Sequence, residues 1–385
     1  MKGKFLVSGP SLGQKKESAV TDEIGFEIDF LPVGNGDRSG DAIALRYGTA
    51  CDYKVIVYDG GTKDAGQKLV DHIRKYYGTE RVDYVISSHP DSDHAAGLSV
   101  VLKQLEVGEL WMHRPWNYSS VILHYFKDGR ITDTSLAARL KDEMTAAHAL
   151  EQLANKLGIP IYEPFSGSII GGFVVLSPEK NWYVHDLIAE FQKSPEQKEA
   201  DTSWIMLKKL SEAAGKAISW VAEKWGIETL RDDVETSAEN ESSVILFGNI
   251  EGQGILLTGD AGLQALNDSA DYAQACGVSL PQILRFIQIP HHGSRHNVST
   301  SVLDRIVGPR KPIDDGGTSK TAFVSAGKDS TTHPRKAVVN AFIRRGCKVI
   351  ATQGSTKCHF RNMPPRKDWS DAVSLTFSSQ VEAWD

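Results

Sequence analysis

The residues with the clearest chemical potential lie in one short run, His89-Pro90-Asp91-Ser92-Asp93-His94. Its two imidazoles and two carboxylates are side chains that bind divalent metal ions. The alternative is a polar turn in which Asp93 caps the helix that follows, but a cap needs one carboxylate and neither histidine. The run therefore predicts a metal site.

The segments on either side of this run predict its place in the fold. Residues 82–88 are apolar and β-branched, as in a buried strand, and residues 95–102 follow as a helix. A loop that joins a strand to a helix lies at the carboxyl edge of an α/β sheet, where binding sites usually form. Pro90 also restricts the backbone of His89. We therefore expect the metal ligands at a sheet edge.

Three later strands also lead into residues that can bind metal or phosphate. Asp260 follows the apolar run 254–258, the pair His291 and His292 follows 283–289, and His333 comes shortly after 321–327. Each residue has an ordinary alternative, such as a helix cap for Asp260. Because all of them follow apolar strands, as His89 does, one cleft at a sheet edge would collect them.

This arrangement predicts two metal ions. His89 and Asp91, with His291 or His292, would hold one ion. Asp93 and His94 would hold the other, with Asp260 between the two. The oxygen and nitrogen donors suit Zn²⁺, Mn²⁺ or Fe²⁺. Two ions roughly 4 Å apart can lower the pKa of a water molecule and hold both oxygens of an in-line displacement. His113, after the apolar run 109–112, is a further candidate ligand, although a histidine buried in the core is the favoured interpretation.

Composition and length limit the class of protein. The chain has 385 residues and a formal net charge of −6, so any polyanion must be bound by local basic groups. Its four cysteines are far apart and form no Cys-x-x-Cys pair, which suits a reducing compartment. No signal peptide and no membrane-spanning run is recognisable in the sequence. These features predict a soluble cytoplasmic protein without a membrane partner.

The chain divides into a polar N-terminal extension, residues 1–22, and one α/β domain, residues 23–385, with strands and helices in both halves. Residues 183–240 are rich in Lys, Glu, Ala and Trp and predict a helical insertion or cap within that domain. Its function as a lid, as a homo-oligomer contact or as a partner-protein surface is left open. One apolar face of the insertion would contain Ile205, Leu207, Leu210, Ile218, Val221 and Trp225.

The run 89–94 with Ala95-Ala96-Gly97 resembles the metal motif of the metallo-β-lactamase superfamily. Asp91 replaces the second histidine that is common there, and this form resembles the soluble hydrolase domain of the ComEC/Rec2 DNA-uptake family. The resemblance implies a four-layer αβ/βα sandwich, of class α/β (α+β), with its site at one edge. It leaves open whether Asp37 or Asp41 fills the family's aspartate position. The other matching motifs are Val33-Gly34-Asn35-Gly36-Asp37, Tyr58-Asp59-Gly60-Gly61, Leu176-Ser177-Pro178, residues 240–246, residues 256–260, residues 289–294, Ser325-Ala326-Gly327 and His333-Pro334.

The same resemblance implies hydrolysis of DNA, so the leading hypothesis is a metal-dependent phosphodiesterase or nuclease. Asp93, His292 and His333 are the predicted catalytic residues, and the substrate is predicted to be a nucleic acid or a nucleotide-like phosphodiester. Two other hypotheses are a hydrolase of a small phosphorylated molecule or cyclic nucleotide, and a sensor module without catalysis. The residues predicted to bind substrate phosphates are Ser294, Arg295, His296 and Lys328, with Arg335 and Lys336 in the same basic cluster.

Overall fold

The computed structural model describes most of the chain. The described ranges are 23–34, 36, 40–126, 129–191, 219–313, 317–367 and 369–384. The predicted extension 1–22 and residues 205–218 of the predicted apolar face lie outside them.

The strands follow the apolar runs of the sequence. In chain order they are β1 (Gly25–Phe30), β2 (Ala42–Gly48), β3 (Tyr53–Gly60), β4 (Arg81–Ile86), β5 (Glu106–Trp111), β6 (Ile161–Tyr162), β7 (Ile169–Ile170), β8 (Phe173–Ser177), β9 (Trp220–Ala222), β10 (Ile245–Ile250), β11 (Gln253–Leu257), β12 (Leu284–Gln288), β13 (Lys320–Val324), β14 (Cys347–Ala351), β15 (Lys357–Arg361) and β16 (Gln380–Glu382).

The helices separate these strands, and two of them are extended by π-helical turns, Ile73–Tyr77 and Tyr183–Leu187. In chain order the α-helices are α1 (Lys63–His72), α2 (Ser92–Ala95), α3 (Leu98–Gln104), α4 (Ser119–Ile122), α5 (Asp133–Glu143), α6 (Thr145–Leu157), α7 (Lys180–Trp182), α8 (Ile188–Glu190), α9 (Ala238–Glu241), α10 (Leu263–Ala275), α11 (Leu280–Ile283), α12 (Thr300–Ile306) and α13 (Lys336–Arg344).

The described strands form two large sheets and one small ribbon. The first sheet has the order β15-β1-β2-β3-β4-β5-β6, and the second has the order β14-β13-β12-β11-β10-β8-β7. In both sheets the central strands are parallel, β3 to β4 to β5 in the first and β11 to β12 to β13 in the second. Parallel strands end at one edge, so the loops after β3, β4, β11 and β12 can meet there.

Three apolar clusters hold these layers together. One cluster packs α1, α3, α5 and α6 onto the first sheet, and another packs α10, α12 and α13 onto the second. The third lies between the sheets, where the rings of Phe30, Phe286 and Phe323 meet edge to face. The result is a four-layer αβ/βα sandwich, two large sheets flanked by helices, which confirms the predicted fold class.

The element predictions fail where tertiary pairing overrides local composition. The sequence predicts a last strand near residues 371–378, but these residues form none. Instead β15 pairs with β1 at Phe26↔Arg361 and completes the first sheet. Within the predicted helical insertion, residues 219–237 are extended or irregular, and Val221 lies in β9 opposite Val381 of β16. The hydrogen bonds between the two strands of this ribbon satisfy the backbone there without a helix, and the two β-branched side chains lie opposite each other.

The metal motif is held against β3 by close backbone packing. An added Cβ at Gly97 would lie 1.9 Å from the Gly60 carbonyl oxygen, and one at Gly60 would lie 2.3 Å from the Leu98 nitrogen. Neither position can accept a side chain without moving the backbone. The turn between α2 and α3 is therefore fixed directly to the strand beside the motif.

The C-terminal segment ties the two halves together. Arg366 forms ion pairs with the buried carboxylates of Glu27 and Asp29 on β1. Further on, the Glu382 carboxylate accepts the backbone N–H of Lys336 and so caps the start of α13 on the second sheet. One segment thus contacts both sheets.

Candidate metal centre

The predicted ligands come from the carboxyl edges of both sheets. His89 follows β4, and His94 lies on the short helix α2 that begins in the same loop. Asp260 follows β11, and His291 and His292 follow β12. The stacking of the two sheets brings these five residues together.

The carboxylate of Asp260 lies at the centre of the cluster. Its Oδ2 is 3.4 Å from Nε2 of His94, 3.7 Å from Nε2 of His291 and 4.0 Å from Nε2 of His89. The Oδ2 of Asp91 lies 3.8 Å from the same His89 nitrogen. The Nε2 atoms of three histidines therefore converge on the Asp260 carboxylate.

The opposite ring nitrogens of two of the histidines face groups that can only accept hydrogen bonds. Nδ1 of His94 lies 2.8 Å from the Asp59 carboxylate, and Nδ1 of His292 lies 3.1 Å from the Ser325 carbonyl oxygen. We assign the proton to Nδ1 in both rings because an acceptor requires a donor. In the neutral rings Nε2 then has a free lone pair, as a metal ligand requires.

In the other two histidines, His89 and His291, Nδ1 also lies against a polar group. The Ser88 hydroxyl donates to Asp59 at 2.6 Å, so its oxygen is left to accept from His89 Nδ1 at 2.9 Å. Asn297 directs its amide nitrogen to a backbone carbonyl, and its Oδ1 lies 3.0 Å from His291 Nδ1. The Nδ1 contacts thus leave Nε2 of His89, His94 and His292 available to the cluster, whereas Nδ1 of His291 also lies 3.1 Å from the amide nitrogen of Asn240, a donor.

These side chains fit a bound metal. Among the described residues, Nε2 of His89, Nε2 of His94 and Oδ1 of Asp260 are buried and have no hydrogen-bond partner. Buried polar atoms without a partner are costly, so their convergence indicates a missing ligand. Two triads have donor atoms within 4.8 Å of one another, Asp59 with His89 and His94, and His94 with Asp260 and His292.

The electrostatics of the cluster couple its carboxylates to its imidazoles. Burial opposes the charge on His94, but Asp260 and Asp59 outweigh it and raise the pKa of His94 well above its usual value. Burial also opposes the charge on Asp260, yet the His94 imidazole keeps the pKa of that carboxyl well below its usual range. Burial lowers the pKa of His89, as the charge on His94 also does, and lowers the pKa of His292 to about 4. A positive ion would replace the proton on His94.

Three site residues adopt a backbone conformation that side chains disfavour. Asp59, His291 and His292 have φ angles of 56°, 45° and 55° although none is glycine. Such left-handed residues cost of order 1–3 kcal/mol each and persist where the surroundings fix them. Here the strained turns direct the three side chains into one cleft.

The two acidic residues of the motif lie at its rim. The Asp91 side chain is 40% exposed, and Asp93 is half-buried. The Asp93 carboxylate opposes part of the effect of burial on the pKa of His292, which places the two groups near each other. An added Cβ at Gly40 would lie 1.6 Å from the Asp93 carbonyl oxygen, so the glycine-rich loop packs directly on the motif.

The predicted phosphate-binding residues after His292 have different surroundings. Ser294 is buried, and its Oγ accepts the backbone N–H of His296 at 3.2 Å. The Arg295 guanidinium is buried, donates to the Glu382 carbonyl at 3.1 Å and lies 4.2 Å from the Trp384 ring centroid. Arg295 therefore fastens the C-terminal segment, whereas the side chain of His296 is exposed.

His333 and Lys328 lie on loops beside the cluster. An added Cβ at Gly293 would be 2.7 Å from Cβ of Pro334, so the His333–Pro334 loop packs on the His292–Gly293 turn. Lys328 is exposed, and its side chain extends over Gly354. The structure thus places the His333–Pro334 loop against the turn that carries His292, with Lys328 earlier in the same connection.

His113 belongs to the core. Its ring centroid lies 4.3 Å from that of Tyr183 and 4.9 Å from that of Phe165. Burial lowers the pKa of His113 to about 3, so the ring is neutral at ordinary pH. This environment agrees with the interpretation of His113 as a core histidine.

Sequence reasoning did not identify several residues that support the ligands. Asp59 was recognisable as part of a motif at a strand end, but its hydrogen bond to His94 appears only in the structure. Asp41 is buried nearby, and burial, which His94 opposes, raises its pKa to about 8. Asp37 lies outside the described residues. Neither Asn297 nor Gln288 carries a sequence signal, because their partners are distant in the chain.

Residues 52–167, which include the motif 89–94, match the family model of the metallo-beta-lactamase superfamily. The fold and the metal-ligand cluster agree with that match. The finer resemblance to the ComEC/Rec2 branch stays a prediction. A comparison with curated proteins gives no match.

Solved structures that this chain matches include a long form RNase Z from yeast, with 9% identity and a TM-score of 0.33, over 94% of this chain and 41% of that one. Unliganded yeast PDE1 has 11% identity and a TM-score of 0.41, over 86% of this chain and 99% of that one. The hydrolase AbOPH of the beta lactamase superfamily has 8% identity and a TM-score of 0.30, over 62% and 72%. This chain thus spans less than half of the RNase Z chain.

The described helices are too short or too polar to cross a bilayer.

The orientation of His94 by Asp59 gives a first prediction. Asp59→Asn would place an amide N–H against a donor, either the Ser88 backbone N–H that now binds Oδ1 or the Ser88 hydroxyl and His94 Nδ1 that now bind Oδ2. We expect the dissociation constant for Mn²⁺ or Zn²⁺ to rise about 10- to 100-fold, measured by isothermal titration calorimetry. Asp71→Asn, at an exposed position on α1, is the matched control. An unchanged dissociation constant for the folded Asp59→Asn protein would contradict this role.

The surroundings of His113 give a second prediction, about acid stability. The folded-state pKa of about 3 lies below the ordinary value of 6.5, so the unfolded chain binds the extra proton. Stability is therefore lost as the pH falls from about 6.5 toward 3. His113→Phe should remove this loss, of the order of 3 kcal/mol at about pH 4, in urea unfolding followed across pH. Metal affinity near neutral pH should not change, and a large decrease would instead identify His113 as a ligand.

Proposed function

We propose that this protein is a metal-dependent phosphodiesterase that cleaves nucleic acid, with DNA as the leading substrate. The observation that carries the proposal is the convergence of oriented Nε2 atoms from His89, His94 and His291 on the Asp260 carboxylate. The order of the ComEC-like motifs in the sequence supports the choice of substrate.

Two divalent ions, Zn²⁺ or Mn²⁺, are proposed to bind in this cluster. The proposed ligands are His89, Asp91, Asp93, His94, Asp260 and His291. The unpartnered buried atoms at His89, His94 and Asp260 support this set. When bound, such ions would supply a water of lowered pKa and a Lewis acid for the phosphoryl oxygens.

The chain's own groups complete the proposed chemistry. Asp93, at the rim, is proposed to hold the attacking water in line, and His292 keeps its neutral ring oriented by the Ser325 carbonyl. His333, whose loop packs on Gly293, is proposed to protonate the leaving oxygen. Ser294, His296 and Lys328 are proposed to contact the substrate from the loops around the cluster.

A surface beside the cluster supports a polymeric substrate. The Arg335 backbone N–H donates to the Gly293 carbonyl at 3.1 Å, directly after His292. The next residue, Lys336, is exposed and places Nζ 4.4 Å from the ring centroid of Trp220. Trp220 is itself 46% exposed. We name this group, Arg335, Lys336 and Trp220, the Trp220 surface.

The Trp220 surface offers the two groups that single-stranded nucleic acids use. An exposed aromatic ring can stack on a base, and neighbouring cations can meet the phosphates on either side. Because Arg335 of this surface contacts Gly293, a nucleic-acid strand stacked on Trp220 would extend toward the cleft. Because the chain as a whole carries a net charge of −6, such local positive charge is required for a polyanion.

Cleavage of defined substrates tests the proposed function. Purified protein should degrade labelled single-stranded DNA in Mn²⁺ or Zn²⁺ and lose this activity in chelator. The variant Asp93→Ala/His94→Ala should be at least about 100-fold slower because it removes two proposed ligands. His185→Ala, a histidine on an exposed turn, should keep full activity.

Parallel reactions with double-stranded DNA, RNA and bis(p-nitrophenyl) phosphate separate the hypotheses. Cleavage of the small diester alone would replace the nuclease by a small-molecule phosphodiesterase. Bound metal without any cleavage would contradict phosphodiester hydrolysis by this protein alone. A protein that binds no metal would overturn the metal centre itself.

The Trp220 surface gives a separate prediction. Trp220→Ala should raise KM for single-stranded DNA about 5- to 150-fold, since stacking contributes about 1–3 kcal/mol per base. Lys336→Ala should also raise this KM, because it removes a cation that would meet the phosphates. The kcat for bis(p-nitrophenyl) phosphate should stay unchanged, because a small diester does not reach this surface. Lys156→Ala, on exposed α6, is the control for loss of one charge. Equal effects on both substrates would show that the surface does not bind the strand.

A further inference from the structure

The side chain of Gln288 connects three parts of the site that are distant in the chain. Gln288 is fully buried at the end of β12, three residues before His291. Its Oε1 accepts the backbone N–H of Thr258 at 2.9 Å and that of Gly259 at 3.1 Å. Its Nε2 donates to Asp41 Oδ2 at 2.7 Å. One amide therefore contacts both halves of the molecule.

The two N–H groups bound by Gln288 belong to the turn that presents Asp260. Gly259 in this turn has a φ of 52°, and a Cβ there would lie 2.9 Å from the Ser88 side chain. The Asp260 N–H donates to Ser243 Oγ at 3.1 Å, and the Asp260 carbonyl accepts from Asn297 at 2.8 Å. Gln288 fixes the side of this turn that precedes Asp260, and these two contacts fix the other.

Asp41 brings the first half of the chain into this network. It follows the glycine-rich loop and precedes β2, and its side chain is buried. The same loop packs on the metal motif through Gly40 and the Asp93 carbonyl. The hydrogen bonds of Gln288 to Asp41 and to the turn before Asp260 therefore set the distance between the loop that carries Asp93 and the turn that carries Asp260.

We propose that Gln288 is a positioning residue for the metal centre, which holds the Asp260 carboxylate at the distance from His89 and His94 that a shared ion requires. The inference rests on the proposed metal-dependent function, but it concerns the geometry of the site. Gln288 itself touches no reacting group in this proposal.

An amide is the side chain that this position requires. The turn needs an acceptor for two N–H groups, and Asp41 needs a donor. Glutamate keeps the acceptor but places a second carboxylate against Asp41, while methionine keeps the volume and removes both functions. Reversal of the pair, with asparagine at 41 and glutamate at 288, restores one donor and one acceptor in the opposite order.

The test compares metal affinity across this pair, by calorimetric titration with Mn²⁺ at about pH 8, where an ordinary glutamate is ionised. Gln288→Met, which removes the acceptor and the donor and cannot share a proton with Asp41, should raise the dissociation constant about 10- to 100-fold, the usual effect of a lost supporting contact, and Gln288→Glu should raise it as well. The reversal Asp41→Asn/Gln288→Glu should return it to within about threefold of the native value. Asp41→Asn alone should also stay within about threefold, because the asparagine oxygen still accepts from Gln288. Gln274→Glu, exposed on α10, controls for the added charge.

The outcomes separate positioning from charge. If Gln288→Met binds Mn²⁺ as tightly as the native protein, the contacts of Gln288 do not position the metal centre and the proposal fails. If the reversal is no better than Gln288→Glu, or if Asp41→Asn alone loses affinity as strongly, the hydrogen bond is not the cause. These last two variants also decide the matter if Gln288→Glu does not fold. A native protein without Mn²⁺ affinity would overturn the proposed function rather than this inference alone.

Discussion

The structure depends on one unfavourable arrangement, a buried carboxylate surrounded by imidazoles. Asp260 and His94 are both buried, and a charge removed from water is costly unless an opposite charge and hydrogen bonds compensate it. Their mutual attraction compensates part of this cost, as the opposite shifts of their pKa values show. The unpartnered atoms at His89, His94 and Asp260 show that the compensation is incomplete without a further ligand. A divalent cation has the charge and the coordination preference to complete it.

The arrangement exists only when the two sheets are stacked, because His89 and His94 come from the first sheet and Asp260 and His291 from the second. The Tyr58 hydroxyl donates to the Val244 carbonyl at 2.6 Å, and the Val244 N–H donates to the Ser88 carbonyl at 2.9 Å. These bonds join β3 and the loop after β4 to the start of β10. These bonds and the aromatic contacts between the sheets fix the positions of the ligand-bearing loops relative to each other. A preorganised metal site requires this.

The sequence alone predicted that the proposed ligands follow apolar strands and meet at one sheet edge, because hydrophobic patterning reveals where strands end. The four-layer fold followed from the order of motifs. The same reasoning failed for β15 and for residues 219–237, where pairing with distant strands decides the structure. It could not find the hydrogen bonds to the ligands, since Asp59 and His94 are 35 positions apart and Gln288 and Asp41 are 247 apart.

Arg295 illustrates why chemical type is a poor guide to substrate contacts. Its position three residues after His292 suggested a phosphate ligand, but its guanidinium is buried against the carbonyls of the C-terminal segment and the face of Trp384. An arginine already held by carbonyl oxygens and an aromatic face would lose those contacts if it turned to bind phosphate. Lys336, three residues after His333, is exposed, and its Nζ lies 4.4 Å from the ring centroid of Trp220, so it would give up fewer contacts than Arg295 on binding phosphate. Substrate recognition is therefore better sought on the exposed face formed by Lys336 and Trp220 than in the buried loop that follows the metal ligands.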